Sequence, residues 1–440
     1  MNAKIKKKLS LLLAVFTVFS VFTIGLTAYG EDNVAINDIN FPDATFRNIM
    51  MREFDQNGDG YLSIEERNVP FMSLSGLLDY DEEIKNLQGI EFFADSLNAL
   101  YCAGIGLESL DVSALANLTS LTCQGNYLTS LDVSQNANLV SLDCSNNMLT
   151  ALNFQNNAKL QQLLCYINNL ESLNLSGAPN LTDLRCDQNK LTAIDVSALS
   201  NLSYFTCAYN HLSSLDLSSN ANLSGVAGYQ IGNQTVLAQA QIENGSLVVP
   251  VSVSDSGRIT AALLANGQPA TYQNSGFAAN DVSEIDGGIT YSYSVGKTDC
   301  ENLEVTVYVT RDFYQVNFYD SADMTNLIGK SFVNNGQAAA APQVTPPTCK
   351  TFANWSEDIN SITADKSVYA LWNDAHSYAL TAFDNYVAQI TCTACQDSFS
   401  VNFKDCINKT QGEQGYYECL DVVNDGVINA KDYSQLIKNY

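Results

Sequence analysis

The sequence is short of the side chains on which most catalytic sites depend. Histidine occurs only twice in 440 residues, as His211 and His376. The chain also lacks GxSxG, HExxH and phosphate-loop motifs, and it offers no Ser-His-Asp setting. Its 47 acidic residues could supply the paired carboxylates of a glycosidase, but they are spread over repeats and small modules that predict no deep cleft. We therefore predict a protein that is not an enzyme.

Basic residues are scarce as well. Lysine and arginine number 21 against 47 acidic residues, which gives a formal net charge of −26. Nucleic acids and anionic membrane surfaces are bound through basic patches, so this balance argues against both as partners. A strongly acidic surface is instead compatible with divalent cations.

Long apolar runs are missing except at the N-terminus. There, MNAKIKKKLSLLLAVFTVFSVFTIGLTAYG has a lysine-rich start, an apolar stretch and small residues at Ala28 and Gly30. This pattern is typical of a secretory signal peptide over residues 1–30. The alternative is a retained anchor, because the stretch from Leu9 to Ala28 approaches the roughly 20 residues that cross a bilayer. We predict cleavage, no membrane insertion afterwards, and a secreted, extracellular or cell-surface location.

One template dominates what the sequence does contain. LTSLTCQGNYLTSLDVSQNAN at 118–138 is followed at once by LVSLDCSNNMLTALNFQNNAK, and leucines and asparagines recur in the same register. The 21-residue period places cysteines at 102, 123, 144, 165, 186 and 207. A repeat that cannot bury its own leucines must stack on its neighbours, so the period predicts a leucine-rich repeat solenoid over residues 84–225. Its first turn should be a cap built on Ile84, Leu87 and Ile90.

Each repeat predicts one short parallel strand, such as 120–124, with Leu121 and Cys123 inward and the residues between them outward. Asn126 and its equivalents should bend the chain out of the strand and bond the backbone of the neighbouring turn, because a buried amide needs partners. In-register strands hold their Cβ atoms about 4.8 Å apart, beyond the roughly 3.5–4.5 Å of a disulfide. We therefore expect the six repeat cysteines to be reduced.

The outward positions differ between early and late repeats. The early repeats present mostly serine, threonine and alanine, whereas the later ones gather Leu164, Tyr166, Asp183, Arg185, Asp187 and Tyr204. Aromatic and arginine side chains dominate binding hot spots, so we place a ligand on these six residues. The alternative is that they are ordinary variable surface positions.

Ahead of the repeats, DQNGDGYLSIEE fits the twelve-residue EF-hand loop at every liganding position. The predicted calcium ligands are Asp55, Asn57, Asp59, the Tyr61 carbonyl, Ser63 through a water, and Glu66. Phe46, Met50 and Phe54 give the entering helix an apolar stripe, and Ser63 with Glu66 predicts a capping box for an exiting helix. The alternative is a calcium-free helical cap.

A second, less complete loop lies near the C-terminus. Positions 1, 5, 7, 9 and 12 of the calcium pattern are filled by Asp421, Asp425, the Val427 carbonyl, Asn429 and Asp432. Val423, at position 3, has no side-chain oxygen, so we predict weaker calcium binding than at the first loop. A first helix around Phe399, Phe403 and Ile407 could precede this loop.

The region between the repeats and the second loop predicts small β modules. Residues 226–312 alternate polar and apolar side chains between turn residues, which favours a β-sandwich or a similar all-β module. Residues 313–372, with YQVNFYD, IGKSFV, FANW and ITADKSVYALW, resemble a small β-grasp-like repeat of bacterial surface proteins. The resemblance implies a core of Val316, Phe318, Val333, Phe352, Trp355, Val368 and Ala370.

The motif Cys392-Thr-Ala-Cys395 is half of a zinc site or a redox pair. Cys406 and Cys419 could complete four zinc ligands. The alternative is one or two disulfides among the cysteines outside the repeats, and the sequence leaves their pairing open: Cys300, Cys349, Cys392, Cys395, Cys406 and Cys419.

The repeat array resembles the leucine-rich repeats of internalin-like Gram-positive surface proteins, and the first loop resembles their N-terminal caps. Residues 313–372 resemble the β-grasp-like repeat of such proteins, and 419–440 resemble one of the two calcium-loop units of a dockerin. The resemblance implies a multi-domain, mainly β fold. Its parts are a signal peptide (1–30), an EF-hand-like helical cap (31–83), a leucine-rich repeat solenoid (84–225), a β-sandwich-like module (226–312), a β-grasp-like module (313–372), and a cysteine-containing linker with a short helical dockerin-like module (373–440).

The same resemblance implies a non-catalytic binding or adhesion protein with calcium as its cofactor. The concave strand face would recognise an extracellular protein or glycan, and the tail would dock on a partner such as a cohesin-type module. Two alternatives stay open. One is a non-catalytic, carbohydrate-binding component of a cellulosome-like polysaccharide-degrading complex, and the other is a structural surface protein without a discrete ligand.

Overall fold

The computed structural model describes residues 33–78, 82–223, 229–244, 246–411, 413, 414, 417, 420–422, 424 and 427–439. The predicted signal peptide lies outside these residues. The chain divides into two compact units, one made of Met1–Gln241 with Ser246–Thr310 and the other of Ile242–Gly245 with Arg311–Tyr440. The described residues are mainly β, as predicted. None of the helices found among them is long and apolar enough to cross a bilayer.

The first unit begins with a small helical cap formed by helix α1 (Ala44–Ile49) and a π-helical turn (Met50–Phe54). Asp43 begins the helix by accepting the Phe46 N–H at 3.0 Å. Phe46 and Met50 are buried, as the apolar stripe predicts. Phe54 packs edge-on against Phe93, with ring centres 5.6 Å apart.

The repeats build one parallel sheet. The strands up to its end are β1 (Val34–Ala35), β2 (Tyr61–Leu62), β3 (Phe71–Ser73), β4 (Ala99–Tyr101), β5 (Ser120–Thr122), β6 (Ser130–Asp132), β7 (Ser141–Asp143), β8 (Ala151–Asn153), β9 (Gln162–Leu164), β10 (Asp183–Arg185), β11 (Tyr204–Thr206) and β12 (Tyr229–Gln230). The sheet order is β3-β4-β5-β7-β9-β10-β11-β12, while β6 and β8 pair separately. From β4 to β11 every step pairs residues one repeat apart, such as Asp183 with Tyr204, so the predicted register is confirmed.

The repeat interior is filled by the predicted leucines and cysteines. Leu121 and Cys123 have no exposed surface, and Ile84, Leu87 and Ile90 of the predicted first turn are buried. All six repeat thiols are buried and unpaired, in agreement with the register argument. Burial raises the pKa of Cys102 to about 12, so these thiols act as small apolar groups.

The asparagine column ties each repeat to its neighbour. Asn168 donates through Nδ2 to the Cys144 and Cys165 carbonyls, both at 3.1 Å, and its Oδ1 accepts the Leu149 N–H at 2.9 Å. Equivalent bonds are made at Asn147, Asn189 and Asn210. After the last repeat, Gln234 takes the same role by donating to the Cys207 and Ile231 carbonyls. The predicted role of this column is confirmed.

An all-β module follows the repeats. Its strands are β13 (Gln234–Gln239), β14 (Gln241–Glu243), β15 (Ser246–Pro250), β16 (Ile259–Leu263), β17 (Thr271–Gln273), β18 (Gly276–Ala279), β19 (Ile289–Tyr293) and β20 (Leu303–Thr310). One sheet has the order β13-β20-β19-β16, and in a second sheet β18 lies between β15 and β17 and pairs with both. Phe277, Tyr291 and Tyr293 are buried, as the alternating pattern predicts.

The second unit opens with a four-stranded sheet of order β22-β21-β24-β23. Its strands are β21 (Phe313–Tyr319), β22 (Leu327–Asn334), β23 (Lys350–Trp355) and β24 (Lys366–Asp374). Six of the seven predicted core residues lie in its core, which also contains Ala339 and Ile362. The prediction is wrong for Phe352, which is 38% exposed because it lies at the margin of the core, beyond the register shift between Phe352 and Asn354 and edge-on to Trp355 and Trp372.

The rest of this unit is a three-stranded sheet with two helices. The elements are β25 (Tyr378–Asp384), β26 (Val387–Cys392), β27 (Ser398–Asn402), α2 (Phe403–Cys406) and α3 (Ala430–Asn439). The predicted helix around Phe399, Phe403 and Ile407 is confirmed only in part, because α2 begins at Phe403 whereas Phe399 pairs with Ile390 in the sheet. The strand places Phe399 edge-on against Tyr378, with ring centres 5.2 Å apart.

Candidate functional site

The outward side chains of the parallel sheet line up in columns across the repeats. In β10, Leu184 is fully buried while Asp183 and Arg185, on either side of it, are half-buried on the other face. The predicted ligand-binding residues on the neighbouring strands, including Leu164 and Tyr204, are also half-buried. The sequence pattern thus placed these side chains on the correct face.

Arg185 is the centre of a connected polar group on this face. Its Nε and Nη2 atoms each lie 3.1 Å from an oxygen of Asp183, which makes a two-pronged ion pair. Its guanidinium carbon lies 4.4 Å from the centre of the Tyr204 ring. Gln162 donates to Asp183 at 3.0 Å, and Ser141 donates to Gln162 at 2.9 Å. Hydrogen bonds and stacking therefore join four adjacent strands and hold Arg185 in one orientation.

Asp187 behaves differently from the other five predicted residues. Its Oδ1 accepts the Ala208 N–H at 3.0 Å, and its Oδ2 accepts the Thr206 hydroxyl. Burial raises the pKa of Asp187 against the opposing effect of these hydrogen bonds. The side chain is thus occupied in bonding the next repeat, and we assign it a structural role.

One column on the rim of this face was not predicted from the sequence. The residue two positions after each repeat cysteine has a positive φ: Gly104 (65°), Gly125 (70°), Asn146 (52°), Ile167 (54°), Gln188 (52°) and Tyr209 (57°). Glycine and asparagine adopt this conformation readily, whereas a β-branched or bulky residue is strained there. Ile167 and Tyr209 are nevertheless 38% and 58% exposed. The signal available in the sequence was the change from glycine to large side chains at this position.

Strained residues are found preferentially at functional sites. We therefore group Ile167 and Tyr209 with the five predicted residues and call the seven the late-repeat face. Its members are Leu164, Tyr166, Ile167, Asp183, Arg185, Tyr204 and Tyr209.

Replacing Ile167 by asparagine should stabilise the protein by about 1 kcal/mol, because asparagine tolerates the left-handed conformation that isoleucine resists. Urea denaturation followed by circular dichroism measures the change. Asn146→Ile, the reverse substitution one repeat earlier, should destabilise by a similar amount. A destabilising Ile167→Asn would contradict the assignment of strain to this residue.

The first predicted calcium loop is closely organised. Oδ1 of Asp55 accepts the Gly58 and Asp59 N–H groups at 2.8 and 3.1 Å, and Oδ2 accepts the Gly60 N–H at 2.9 Å. Gly60 has a φ of 80°, which suits the sharp turn that the loop makes there. Strand β2, on the far side of the turn, pairs with β1, so this single loop finds its β partner in the extended segment that precedes it.

Glu66 closes the loop. Its Oε1 accepts the Gln56 N–H at 2.8 Å, and its Oε2 accepts both the N–H and the hydroxyl of Ser63 at 2.9 Å. The Glu66 N–H returns to the Ser63 hydroxyl at 3.2 Å, which is capping-box geometry. Burial opposes ionisation of Glu66, but the bonds from Ser63, Gln56 and Asn57 outweigh it and lower its pKa. The exiting helix was predicted wrongly, since residues 64–67 form a single turn that the chain leaves for β3.

The donor set of the first loop fits a calcium ion. Asp55, Asp59 and Glu66 supply carboxylates, which are hard oxygen ligands, and the backbone bonds already hold Asp55 and Glu66 within the loop. Both oxygens of Glu66 face the loop segment, which suits two-oxygen coordination at position 12. The Tyr61 N–H donates to Asp59 at 2.9 Å, so this third carboxylate is also oriented.

The second predicted loop is described only in part, because Val423, Asp425 and Gly426 lie outside the described residues. Asp421 and Asp432, at the two ends of the pattern, are buried. Asn429 begins α3 by accepting the Lys431 N–H at 2.8 Å, and Asp432 accepts the Asn429 N–H at 2.8 Å. Asn429 and Asp432, which are predicted to occupy positions 9 and 12 of the loop, thus also cap α3.

No family model matches the sequence, and no curated protein does either. Among solved structures, internalin C2 from Listeria monocytogenes is similar, with 19% identity and a TM-score of 0.36 over 47% of this chain and 88% of its own. The functional domain of InlJ from the same species, described as including a cysteine ladder, has 19% identity and a TM-score of 0.21 over 63% of this chain and 99% of its own. InlP of that species has 16% identity and a TM-score of 0.34 over 63% of this chain and 98% of its own. These likenesses are loose, and the repeat architecture of this chain rests on its own strand register and asparagine column.

Proposed function

We propose that the chain is an exported, non-catalytic binding protein whose late-repeat face recognises an extracellular protein or glycan. The observation that carries this proposal is the grouping around Arg185. An arginine held by Asp183 and stacked on Tyr204 has lost much of its freedom before a ligand arrives, which lowers the entropic cost of binding. Arginine and tyrosine are also the residues most enriched in binding hot spots.

Two further features support the same face. The strained Ile167 and the exposed Tyr209 place large side chains on its rim, where glycine or asparagine would be favoured. The equivalent surface of the early repeats has Ser120, Thr122 and Ala103 instead. A protein that served only as a structural filler would have no reason to concentrate these residues at one end of its sheet.

We further propose that the first loop binds calcium and stiffens the N-terminal cap. The ordered carboxylates of Asp55 and Glu66 support this role. The second loop, which lacks a side-chain ligand at Val423, would bind calcium more weakly. Docking of the tail on a cohesin-type module would then rest on a single calcium loop, since the preceding segment SFSVNFKDCINKTQGEQGYY, which contains α2, has no acidic loop.

The binding proposal is tested with matched alanine variants of the full chain. Arg185→Ala and Tyr204→Ala should each weaken binding at least tenfold, or about 1.4 kcal/mol, to any glycan or secreted-protein ectodomain that the unaltered protein retains on an array. Tyr101→Ala is the control, because Tyr101 lies on the same face of the sheet but five strands from Tyr204. At about 4.8 Å per strand, this separation is roughly 24 Å.

The kind of ligand that the unaltered protein retains decides between the functional alternatives. Retention of a carbohydrate would favour the polysaccharide-complex alternative, and retention of an ectodomain would favour adhesion. The three variants then test the late-repeat face itself. Equal binding by all three variants, or a loss confined to Tyr101→Ala, would rule out the late-repeat face. Unfolding midpoints measured beside the binding curves separate lost contacts from lost folding.

A further inference from the structure

A cluster of three cysteines and one histidine lies within the second unit. One side-chain ligand atom from each of Cys349, His376, Cys392 and Cys395 lies within 4.8 Å of every other. The sulfurs of Cys349 and Cys392 are 3.2 Å apart, and His376 Nδ1 is 3.3 Å from the Cys395 sulfur. We call these four residues the thiol–histidine cluster.

The cluster differs from the four zinc ligands considered on the basis of the sequence. Cys406, expected as a third ligand, is buried in a separate apolar core with Phe403 and Leu420. Cys419 lies outside the described residues. Cys349 and His376 take their places beside Cys392 and Cys395, so the sequence identified two of the four residues.

One strand ladder brings Cys349 next to His376. Lys350 and Asp374 form the last pair between β23 and β24, and their side chains form an ion pair with a 2.5 Å contact. Just beyond this pair, the Ala375 N–H donates to the Cys349 carbonyl at 2.9 Å. Cys349 and His376 therefore flank the same end of the ladder.

A second ladder brings the two remaining cysteines to the same place. Tyr378 pairs with Cys392 at the end of β25 and β26, and the Thr393 N–H donates to the Ser377 carbonyl at 3.0 Å. The chain then turns tightly, since the Cys392 N–H donates to the Asp397 carbonyl at 2.7 Å. This turn carries Cys395 back over Cys392.

A stacking contact with Tyr378 holds the His376 ring in place. The two ring centres are 5.1 Å apart and the ring planes are 16° from parallel. On the facing turn, the Gln396 N–H donates to the Cys392 carbonyl at 3.1 Å, which fixes the segment that carries Cys395.

We propose that the thiol–histidine cluster binds one zinc ion in a closed structural site. Three thiolates and one imidazole are a common ligand set for structural zinc, and a tetrahedron with zinc–sulfur bonds of about 2.3 Å places its sulfurs roughly 3.8 Å apart. The two contacts of 3.2 and 3.3 Å lie below that value and all four ligand atoms lie within 4.8 Å of one another, so small side-chain rotations would complete the tetrahedron. Binding releases one proton from each thiol that was protonated beforehand, and no electron is transferred.

The competing arrangement is a disulfide between Cys349 and Cys392. It would use two of the four residues and would leave unexplained why His376 and Cys395 converge on the same point. A zinc ion uses all four. It would also link the loop before β23, the segment between β24 and β25, and the turn after β26, and so join the two sheets of this unit.

The test measures zinc in the full chain, purified under reducing conditions in the presence of zinc salt and then dialysed without chelator. We expect close to one zinc per chain by plasma mass spectrometry, and near zero for Cys395→Ser and for His376→Ala. Cys300→Ser is the control, since Cys300 lies in the other unit, and it should retain the full zinc content.

Cobalt substitution gives an independent readout on the unaltered protein. Cobalt bound by three thiolates and an imidazole should give the intense visible bands of a tetrahedral site and a thiolate charge-transfer band. Absence of zinc and of these bands from the unaltered chain would overturn the proposal. So would zinc retained at full level in both cluster variants, or a Cys349–Cys392 disulfide found by mass spectrometry in the exported protein.

Discussion

Replacing Asn168 by alanine should lower the free energy of unfolding of the repeat array by about 3–5 kcal/mol. The substitution leaves the Leu149 N–H buried without a partner, which costs about 1–3 kcal/mol. It also removes one of the two amide donors to each of the Cys144 and Cys165 carbonyls, at about 0.5–1.5 kcal/mol per bond, while Asn147 and Asn189 keep the other donor. A loss of this size is a large part of the total stability of an ordinary domain. Urea denaturation monitored by circular dichroism measures it.

The control for this substitution is the next residue. Asn169 is also asparagine, but its side chain is only half-buried and its backbone N–H makes the contact to Leu149. Asn169→Ala should therefore change stability by less than about 1 kcal/mol. Equal losses at the two positions would show that the asparagine column does not carry the stability we assign to it.

Calcium should raise the stability of the first unit by about 4 kcal/mol at a free concentration a thousandfold above the dissociation constant. EF-hand loops of the sensor type bind at about 0.1–10 μM, so millimolar calcium is sufficient. Calorimetric unfolding of the full chain with and without added calcium measures the effect. Both measurements are made on protein that carries Asp421→Asn, so that calcium binding at the second loop does not contribute to the difference.

Asp55→Ala should abolish this calcium effect, whereas Glu65→Gln should preserve it, because Glu65 precedes the last ligand position and is exposed. A calcium response that survives Asp55→Ala would show that the ion binds elsewhere. Calcium is added to the protein without any chelator, so that the proposed zinc ion is left in place.

Glu66 should matter even without calcium. Its lowered pKa means that ionised Glu66 stabilises the fold above the pKa that it has in the unfolded chain, and that this contribution is lost as the pH falls through the folded value. Glu66→Gln should therefore destabilise calcium-free protein at neutral pH, with a smaller difference in acid. A penalty independent of pH would assign the loss to packing.

The repeat sheet could be predicted because the same residue types recur at the same positions of every 21-residue repeat. The period fixed which strands pair, and the inward leucines and asparagines followed from the need to bury apolar surface and satisfy buried amides. The bond from Asp187 to Thr206 in the following repeat could not be predicted, because a position in an outward column does not specify the partners of its side chain.

Features that depend on a single pairing between distant segments could not be predicted from the sequence. Cys349 lies 43 residues before Cys392, and only the end of the β23–β24 ladder brings it close. The sequence alone therefore indicates Cys406 and Cys419 as the residues that could complete the four ligands. The helix predicted after the first loop is only a single turn, because the short segment between the loop and β3 leaves no room for more.

The most direct test of the late-repeat face is hydroxyl-radical footprinting of the full chain with and without the ligand that the arrays identify. Tyrosine oxidation reports burial of each ring, and the chain has matched tyrosines at both ends of the sheet. We expect protection of Tyr166, Tyr204 and Tyr209, with unchanged oxidation of Tyr101 and of Tyr127. Protection of Tyr101 and Tyr127 with the three late tyrosines unchanged would contradict the account.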